Sequence, residues 1–347
     1  MKTSYSSVAL ACALFMGVQP ASDACTRAVY QGPQGLTITA RSMDWKDDIP
    51  ANLWVFPRGM ERHGAVGDNS LQWTSTYASV VTSSFDIAST DGMNEKGLVA
   101  NLLWLAESEY PDYDSSQIGL SVAAWVQYVL DNFASVSEAV EALQDEPFVV
   151  VSSDIPGTER FTTVHLSISD AEGDSAIFEY IDGRLVTHHS ADYQVMTNSP
   201  VFDQQIALNQ YWRQIGGTTM LPGTNRAADR FVRASFYIDA IPQTSDPHIA
   251  VGSVFSVIRN ASVPYGISSE EEPNISSTRW RTVADQKHLK YYFETALTPN
   301  TFWVDLNQFD VSEGAEVKWL RVDDNQIYSG ETSAHFESTT AFEFAGL

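Results

Sequence analysis

Cys25 is the residue whose setting most suggests catalysis, because the stretch before it reads as a removable leader. A cut between Ala24 and Cys25 would leave a first residue carrying both a thiol, ordinarily of pKa ~8.5, and an α-amine of ~7.7–8. The amine could take the thiol proton, directly or through a water, and later hand it to a leaving amine. Nucleophile, base and acid would then share one residue. Such a site needs helpers: a cation beside the sulfur favours the thiolate, and a carboxylate accepting from the amine would orient it. Arg41 and Asp44 are the candidates. An ordinary strand-end ion pair, worth ~0–1 kcal/mol, explains those two equally well on spacing alone. An amide hydrolase also needs donors to a tetrahedral oxyanion, each worth ~2.7–4 kcal/mol. Asn198, in Thr197-Asn198-Ser199-Pro200, is a candidate side-chain donor, although a turn or capping asparagine is the commoner meaning of that context.

Other chemistries have less to stand on. There is no G-x-S-x-G elbow, Walker loop, dinucleotide fingerprint or H-E-x-x-H. The seven histidines are scattered and expected mostly at the surface. His188 and His189 are adjacent, so on a strand they would face opposite ways, which argues against a shared metal. No metal and no cofactor is expected. A net charge of −24 lacks the basic footprint that nucleic acid requires and fits a soluble, self-repelling exported protein. The chain has two cysteines, Cys12 and Cys25, so loss of the leader would leave one and no internal disulfide. A lone thiol in an oxidising compartment pairs between chains, does chemistry or lies buried and inert. A position at the chain terminus favours chemistry.

The leader itself, residues 1–24, has three sections: Lys2, an apolar run over 8–18, and small residues Ser22 and Ala24 at positions −3 and −1 of the cut. As a membrane anchor, eleven apolar residues at 1.5 Å each would reach only ~16 Å, short of the ~30 Å hydrocarbon core. A non-catalytic lipoprotein tethered through Cys25 is the rival from another class. Ser22 and Asp23 are poor neighbours for a lipidated cysteine, so cleavage with no membrane anchor is the expectation.

The residues remaining after the cut, 25–347, must position these groups. Residues 26–30 and 36–45, around a turn at 32–35, read as a hairpin rich in β-branched residues that brings Arg41 and Asp44 back beside Cys25. Further strands are expected at 51–56 and 78–84, and 91–104 reads as a turn followed by a buried strand. Helical spacing marks 117–133, and Ser135 with Glu138 reads as a capping box for a helix to about 143. Strands return at 162–169, 175–181 and 193–196, helices at 202–215, 227–241 and 248–260, and strands at 290–294, 301–306 and 315–322. Strand and helix blocks are segregated, and no linker is long enough to divide the chain, so one α+β domain with mostly antiparallel sheets is expected over 25–347.

Taken together, several pieces resemble the choloylglycine hydrolase and penicillin V acylase family of N-terminal-nucleophile hydrolases. They are Cys25-Thr26-Arg27, residues 40–45, residues 91–98, Thr197-Asn198-Ser199-Pro200, Leu221-Pro222-Gly223 with residues 230–233, and Ser277-Thr278-Arg279. They run in the family's order over most of the mature chain. The resemblance implies a four-layer αββα sandwich. It implies Cys25 as nucleophile, Asp44 as partner of its amine, Arg41 and Arg230 as the arginines near the sulfur, and Asn198 as oxyanion donor. Trp104 stands where bile salt hydrolases have an asparagine whose backbone amide completes the oxyanion hole. With Trp45 it resembles the pocket tryptophans of the Gram-negative branch, although core packing is the ordinary use of large rings. That branch implies a periplasmic enzyme acting on a small N-acyl amide, penicillin V or a long-chain N-acyl homoserine lactone, with conjugated bile salts as the alternative. The segment between Pro200 and Leu221 is shorter than the loop that braces bile salt hydrolase tetramers, yet a homo-oligomer, dimer or tetramer, remains the family expectation. The loops over 60–75 and 265–277 carry no readable pattern and are left as candidates for shaping the pocket.

Overall fold

Side-chain alternation along two long strands decides how the layers of this molecule meet. The computed structural model describes residues 24–347 except 156, 159, 269–274, 299 and 323–325. Of the expected leader, only Ala24 lies within the described residues. In chain order the first strands are β1 (Thr26–Gly32), β2 (Leu36–Trp45), β3 (Leu53–Phe56), β4 (Glu61–His63) and β5 (Gln72–Thr74). Next come β6 (Ser79–Ser84), β7 (Ala88–Asn94), β8 (Val99–Trp104), β9 (Gly119–Ser121), β10 (Val149–Val151), β11 (Val164–Ser169) and β12 (Ser175–Ile181). The rest are β13 (Arg184–His189), β14 (Val195–Met196), β15 (Ser277–Asp285), β16 (Lys290–Thr295), β17 (Phe302–Asp305), β18 (Val317–Leu320), β19 (Gly330–Glu331) and β20 (Glu337–Thr339). The helices are α1 (Trp125–Asn132), α2 (Val136–Leu143), α3 (Phe202–Ile215), α4 (Ala227–Ala240) and α5 (Pro247–Ala261).

One sheet has seven strands in the order β14, β1, β2, β15, β16, β17, β19; the other has nine, β13, β12, β11, β8, β7, β6, β3, β18, β20. Every pair within them is antiparallel except β17 with β19. Helices α4 and α5 cover the first sheet along β1 and β2, with α3 beside α4, while α1 packs on β7 and β8 and α2 on β12. The result is a four-layer αββα sandwich. Phe56, Val81, Trp125, Leu130 and Phe178 form the apolar core between the nine-stranded sheet and its helices, and Ile38, Ala40, Val254 and Ile258 are among those beneath α5. The larger of these side chains each contribute about 1.5–3 kcal/mol by leaving water.

Between the sheets the packing is notably polar. Asp91 on β7 accepts from Asn101 and Thr282 and from the Tyr291 hydroxyl, which also meets Thr82 at 2.8 Å. Gln286 donates to the carbonyls of Gly97 and Ser169, and Arg27 donates to the Ile168 carbonyl and the Ser175 hydroxyl. Groups this deep need partners, and apart from Asn101, which shares a sheet with Asp91, each partner here lies on the opposing sheet.

The chain departs from the sequence reading in several places, among them the short strands β4, β5 and β10, which that reading does not give. Residues 117–133 are not one helix: β9 pairs in parallel with β10, Val122–Ala124 make a 3-10 turn capped by the Ser121 hydroxyl, and only then does α1 begin. Gly119 is held too close to Val66 to carry a side chain: a Cβ there would meet it at 2.6 Å. Asp91 to Asn94 belong to strand β7 rather than to a turn; the turn follows, with Gly97 at φ +78° where a Cβ would sit 2.6 Å from the Gln286 carbonyl. Asn94 fixes that turn by accepting from Lys96 and Leu98 nitrogens and donating to the Leu130 and Phe133 carbonyls at the end of α1. Strand β13 carries no alternating apolar signal, since none of its residues is fully buried.

Candidate active site

The β1–β2 hairpin pairs Thr26 with Ser42 and Arg27 with Arg41, which brings the end of β2 alongside Cys25. Alternation then sorts the side chains. Cys25, Arg41, Met43 and Trp45 face an open cleft at one end of the inter-sheet space, which they line together. Asp44 lies buried on the other face, where its carboxylate accepts from the Thr278 hydroxyl and, at 3.4 Å, from the Ser42 hydroxyl.

Cys25 is held from behind. Its nitrogen, a peptide N–H here because Ala24 precedes it, donates to Asn198 Oδ1 at 2.6 Å. Arg230, wholly buried on α4, donates through Nη1 to the Cys25 carbonyl at 2.5 Å and the Thr26 hydroxyl at 2.6 Å, and through Nη2 to Asn198 Oδ1 at 2.7 Å. Asn198 Nδ2 donates to the Trp104 carbonyl at 2.7 Å. Two donors on Oδ1 and a carbonyl on Nδ2 fix the orientation of this amide. The Cys25 nitrogen thus meets Asn198 and not Asp44, the partner expected from sequence. Asp44 is near enough for its charge to oppose ionisation of the thiol.

Burial pushes the Cys25 thiol up, and Arg41 is the largest influence in the other direction. Burial also drives the Asp44 carboxyl up to about 6, against Arg230, the Thr278 hydroxyl, Arg281 and Arg41. Desolvation of a carboxylate therefore outweighs three neighbouring arginines. Arg41 itself donates from Nη2 to the Leu102 carbonyl at 2.8 Å, stacks 4.4 Å from the Trp280 ring centroid and reaches Asp91 at 4.0 Å. Among the described residues its Nε and Nη1 have no hydrogen-bond acceptor.

The cleft is open to solvent and lined mainly by apolar side chains, as small-molecule sites are. Trp45 and Trp104 pack against each other on its wall with ring centroids 5.4 Å apart, and the Arg160 guanidinium lies 4.0 Å from the Trp104 centroid. Ile49, Phe85, Ile87 and Ile155 supply apolar walls. These walls come from Ile49 and from residues 84–90 and 153–155; of 60–75 and 265–277 no described residue lines the cleft. The Leu105 nitrogen donates to the Thr163 carbonyl, so Trp104 occupies the unbonded position of the β8–β11 pair. Its N–H and C=O consequently face away from β11, on the side where Asn198 lies.

Sequence reasoning does not single out Thr278, Met43, Asp91 or Tyr291 as individual contributors. Ser277-Thr278-Arg279 stands out only through the family resemblance, and Asp91 lies in a stretch that reads as a turn. His165 is missed as well, the one fully buried histidine; five of the seven are exposed and His188 is partly buried.

Layers and site together define the class: the chain belongs to the choloylglycine hydrolase family of linear amide C–N hydrolases, whose model matches residues 25–323. It hydrolyses a linear amide C–N bond. A penicillin V acylase of Pectobacterium atrosepticum is 56% identical over 350 residues, covering 94% of this chain and 93% of the relative. The penicillin V acylase structure from Agrobacterium tumefaciens superposes with a TM-score of 0.88 at 60% identity, over 93% of this chain and all of that one. A bile salt hydrolase/transferase of Clostridium perfringens is 29% identical over 322 residues, covering 85% of this chain and 95% of the relative.

Proposed function

We propose that this chain is exported, loses residues 1–24, and hydrolyses penicillin V and long-chain N-acyl homoserine lactones through Cys25. The reading rests chiefly on one observation: the Cys25 thiol shares an apolar cleft with Trp45 and Trp104 while its own backbone is gripped by Asn198 and Arg230. A family match that begins at residue 25 also supports it. Higher identity to penicillin V acylases than to a bile salt hydrolase favours the first substrate class over conjugated bile salts.

In this mechanism the cut turns the nitrogen bound by Asn198 Oδ1 into a free amine. The amine takes the thiol proton, and the charges of Arg41 and Arg230 favour the thiolate. Asp44, whose charge disfavours the thiolate, favours the ammonium through its charge, while Asn198 Oδ1 holds the amine in place. Sulfur attacks the amide carbon, and the oxyanion receives the second N–H of Asn198 Nδ2 and the Trp104 backbone N–H. As the tetrahedral adduct collapses, the C–N bond breaks and the ammonium protonates the leaving nitrogen, giving a thioester. The amine then deprotonates a water, which attacks the thioester and releases the carboxylic acid and the thiol. The apolar acyl group packs against Trp45 and Trp104.

Intact mass of the active protein, with penicillin V, glycocholate and a long-chain homoserine lactone assayed side by side, tests this. The expected result is a first residue of Cys25, turnover of the first and third substrates, and a folded but inactive Cys25→Ala. Turnover by Cys25→Ala, or residues or a lipid ahead of the sulfur in active protein, would overturn it.

A further inference from the structure

Asn198 sits on a turn, residues 197–202, that is clamped from the neighbouring sheet. Along β11, Val164, Leu166 and Ile168 face the helices α1 and α2, so His165 faces the other way. The register that sets Leu166 opposite Phe178 puts Glu179 of β12 opposite His165. His165 Nδ1 lies 3.0 Å from Glu179 Oε1, and its Nε2 lies 2.9 Å from the Thr197 carbonyl, one residue before Asn198. The same carboxylate accepts from the Phe202 nitrogen at 3.1 Å, at the start of α3, and Gln205 Nε2 donates to the Asn198 carbonyl at 2.8 Å. Both ends of the turn therefore hang on the His165–Glu179 pair.

The two ring nitrogens of His165 face a carboxylate oxygen and a carbonyl oxygen, both acceptors. A neutral imidazole carries one N–H and would turn a lone pair towards one of them; only the doubly protonated ring donates to both. We propose that His165 is a positioning residue acting as a buried imidazolium that braces the Thr197 carbonyl, so that loss of one ring proton slackens Asn198 and with it Cys25. This deepens the reading of Asn198 given above and rests on it.

Glu179 is suited to be the counter-ion. Burial alone would raise its carboxyl, but donation from His165 and His188 and from the Phe202 N–H holds it at about 2. The groups facing the pair from other elements are His188 of β13, 3.3 Å from Glu179 Oε2, and behind it the exposed Asp203 of α3, 3.5 Å from His188 Nδ1. From α4, Arg230 reaches Asn198 Oδ1 but not the ring. Among the described residues no three His, Cys, Asp or Glu side chains are grouped to hold a metal ion.

The test follows kcat for penicillin V across pH 5–9 in wild type, His165→Gln and Glu179→Gln, alongside the nitrogen-15 titration of His165. Freeing the Cys25 amine makes activity rise with pH, so slackening of the brace is read on the opposite, alkaline limb. In wild type that limb should coincide with the His165 titration. His165→Gln should lower kcat by about 10- to 100-fold, with KM changed far less, and should lack the limb. Glu179→Gln removes the counter-ion, so the limb should move to lower pH. Independently of turnover, the Asn198 side-chain amide resonance in Cys25→Ala should shift with the His165 titration. An Asn198 resonance indifferent to that titration, or an alkaline limb unchanged in either variant, would overturn the assignment. Should His165→Gln fail to fold, Glu179→Gln and the resonance decide. Turnover by Cys25→Ala would instead remove the nucleophile while leaving the resonance to judge the brace.

Discussion

Asp44→Asn isolates the contest between burial and arginine at the base of the site. Asparagine has nearly the shape of aspartate and mimics its protonated form, so pH-independent costs of the substitution cancel when the two proteins are compared across pH. In the folded chain, with Ala24 in place, burial carries the Asp44 carboxyl from 3.8 to about 6. An acid whose folded pKa is raised destabilises the fold once it ionises. That penalty is absent below about 3.8, where folded and unfolded chains both hold the proton, and is complete above about 6. The interval is 6 − 3.8 = 2.2, which at 1.36 kcal/mol per pH unit amounts to about 3 kcal/mol. Urea unfolding of both proteins at pH 4, 5, 6, 7 and 8 reads it directly. Between pH 4 and 7 wild type with Ala24 retained should lose roughly 2–3 kcal/mol relative to Asp44→Asn, while the cut variant hydrolyses penicillin V more slowly because the amine has lost its neighbouring charge. A difference that stays flat with pH, or one in which wild type gains, would mean that Arg230, Arg281 and Arg41 overcome desolvation, and the reasoning would be wrong.

Arg230→Met removes donors from Cys25, Thr26 and Asn198 at once and strands neutral buried acceptors, so unfolding should cost at least about 1–3 kcal/mol less. Arg230→Lys keeps the charge but not the fork and should recover only some of that, read as an intermediate urea midpoint. Trp104→Ala removes one wall of the aromatic pair, forfeiting about 1.5–3 kcal/mol of apolar burial. In kcat/KM this is a loss of about 10- to 100-fold for long or aromatic acyl groups and little for acetyl, measured on a chain-length series.

The hairpin of β1 and β2 is legible because both strands alternate and the turn between them announces itself; from it follows the juxtaposition of Cys25 with Arg41 and Asp44. Helices α3, α4 and α5 are legible because their apolar faces repeat over fourteen or fifteen residues. Residues 117–133 mislead because a buried parallel strand and a helix place apolar residues almost alike over so short a run. The finer wiring of the site is not legible at all. Which atom Asn198 turns to Cys25 depends on three elements, β1, β8 and α4, distant in sequence. His165 looks like any isolated histidine until the register with β12 is known.

The polar seam joining the sheets bears on how this scaffold could change its diet. Asp91, Tyr291, Arg41, Gln286 and Arg27 act as bolts of fixed length, and replacing one strands its partners, so the cleft floor resists drift. Ile49, Phe85 and Ile155 are attached to loops and bear no bolt, so they can vary in size without disturbing the floor. Selection for a new acyl chain should therefore record its changes on those walls first, with the chemistry beneath inherited intact.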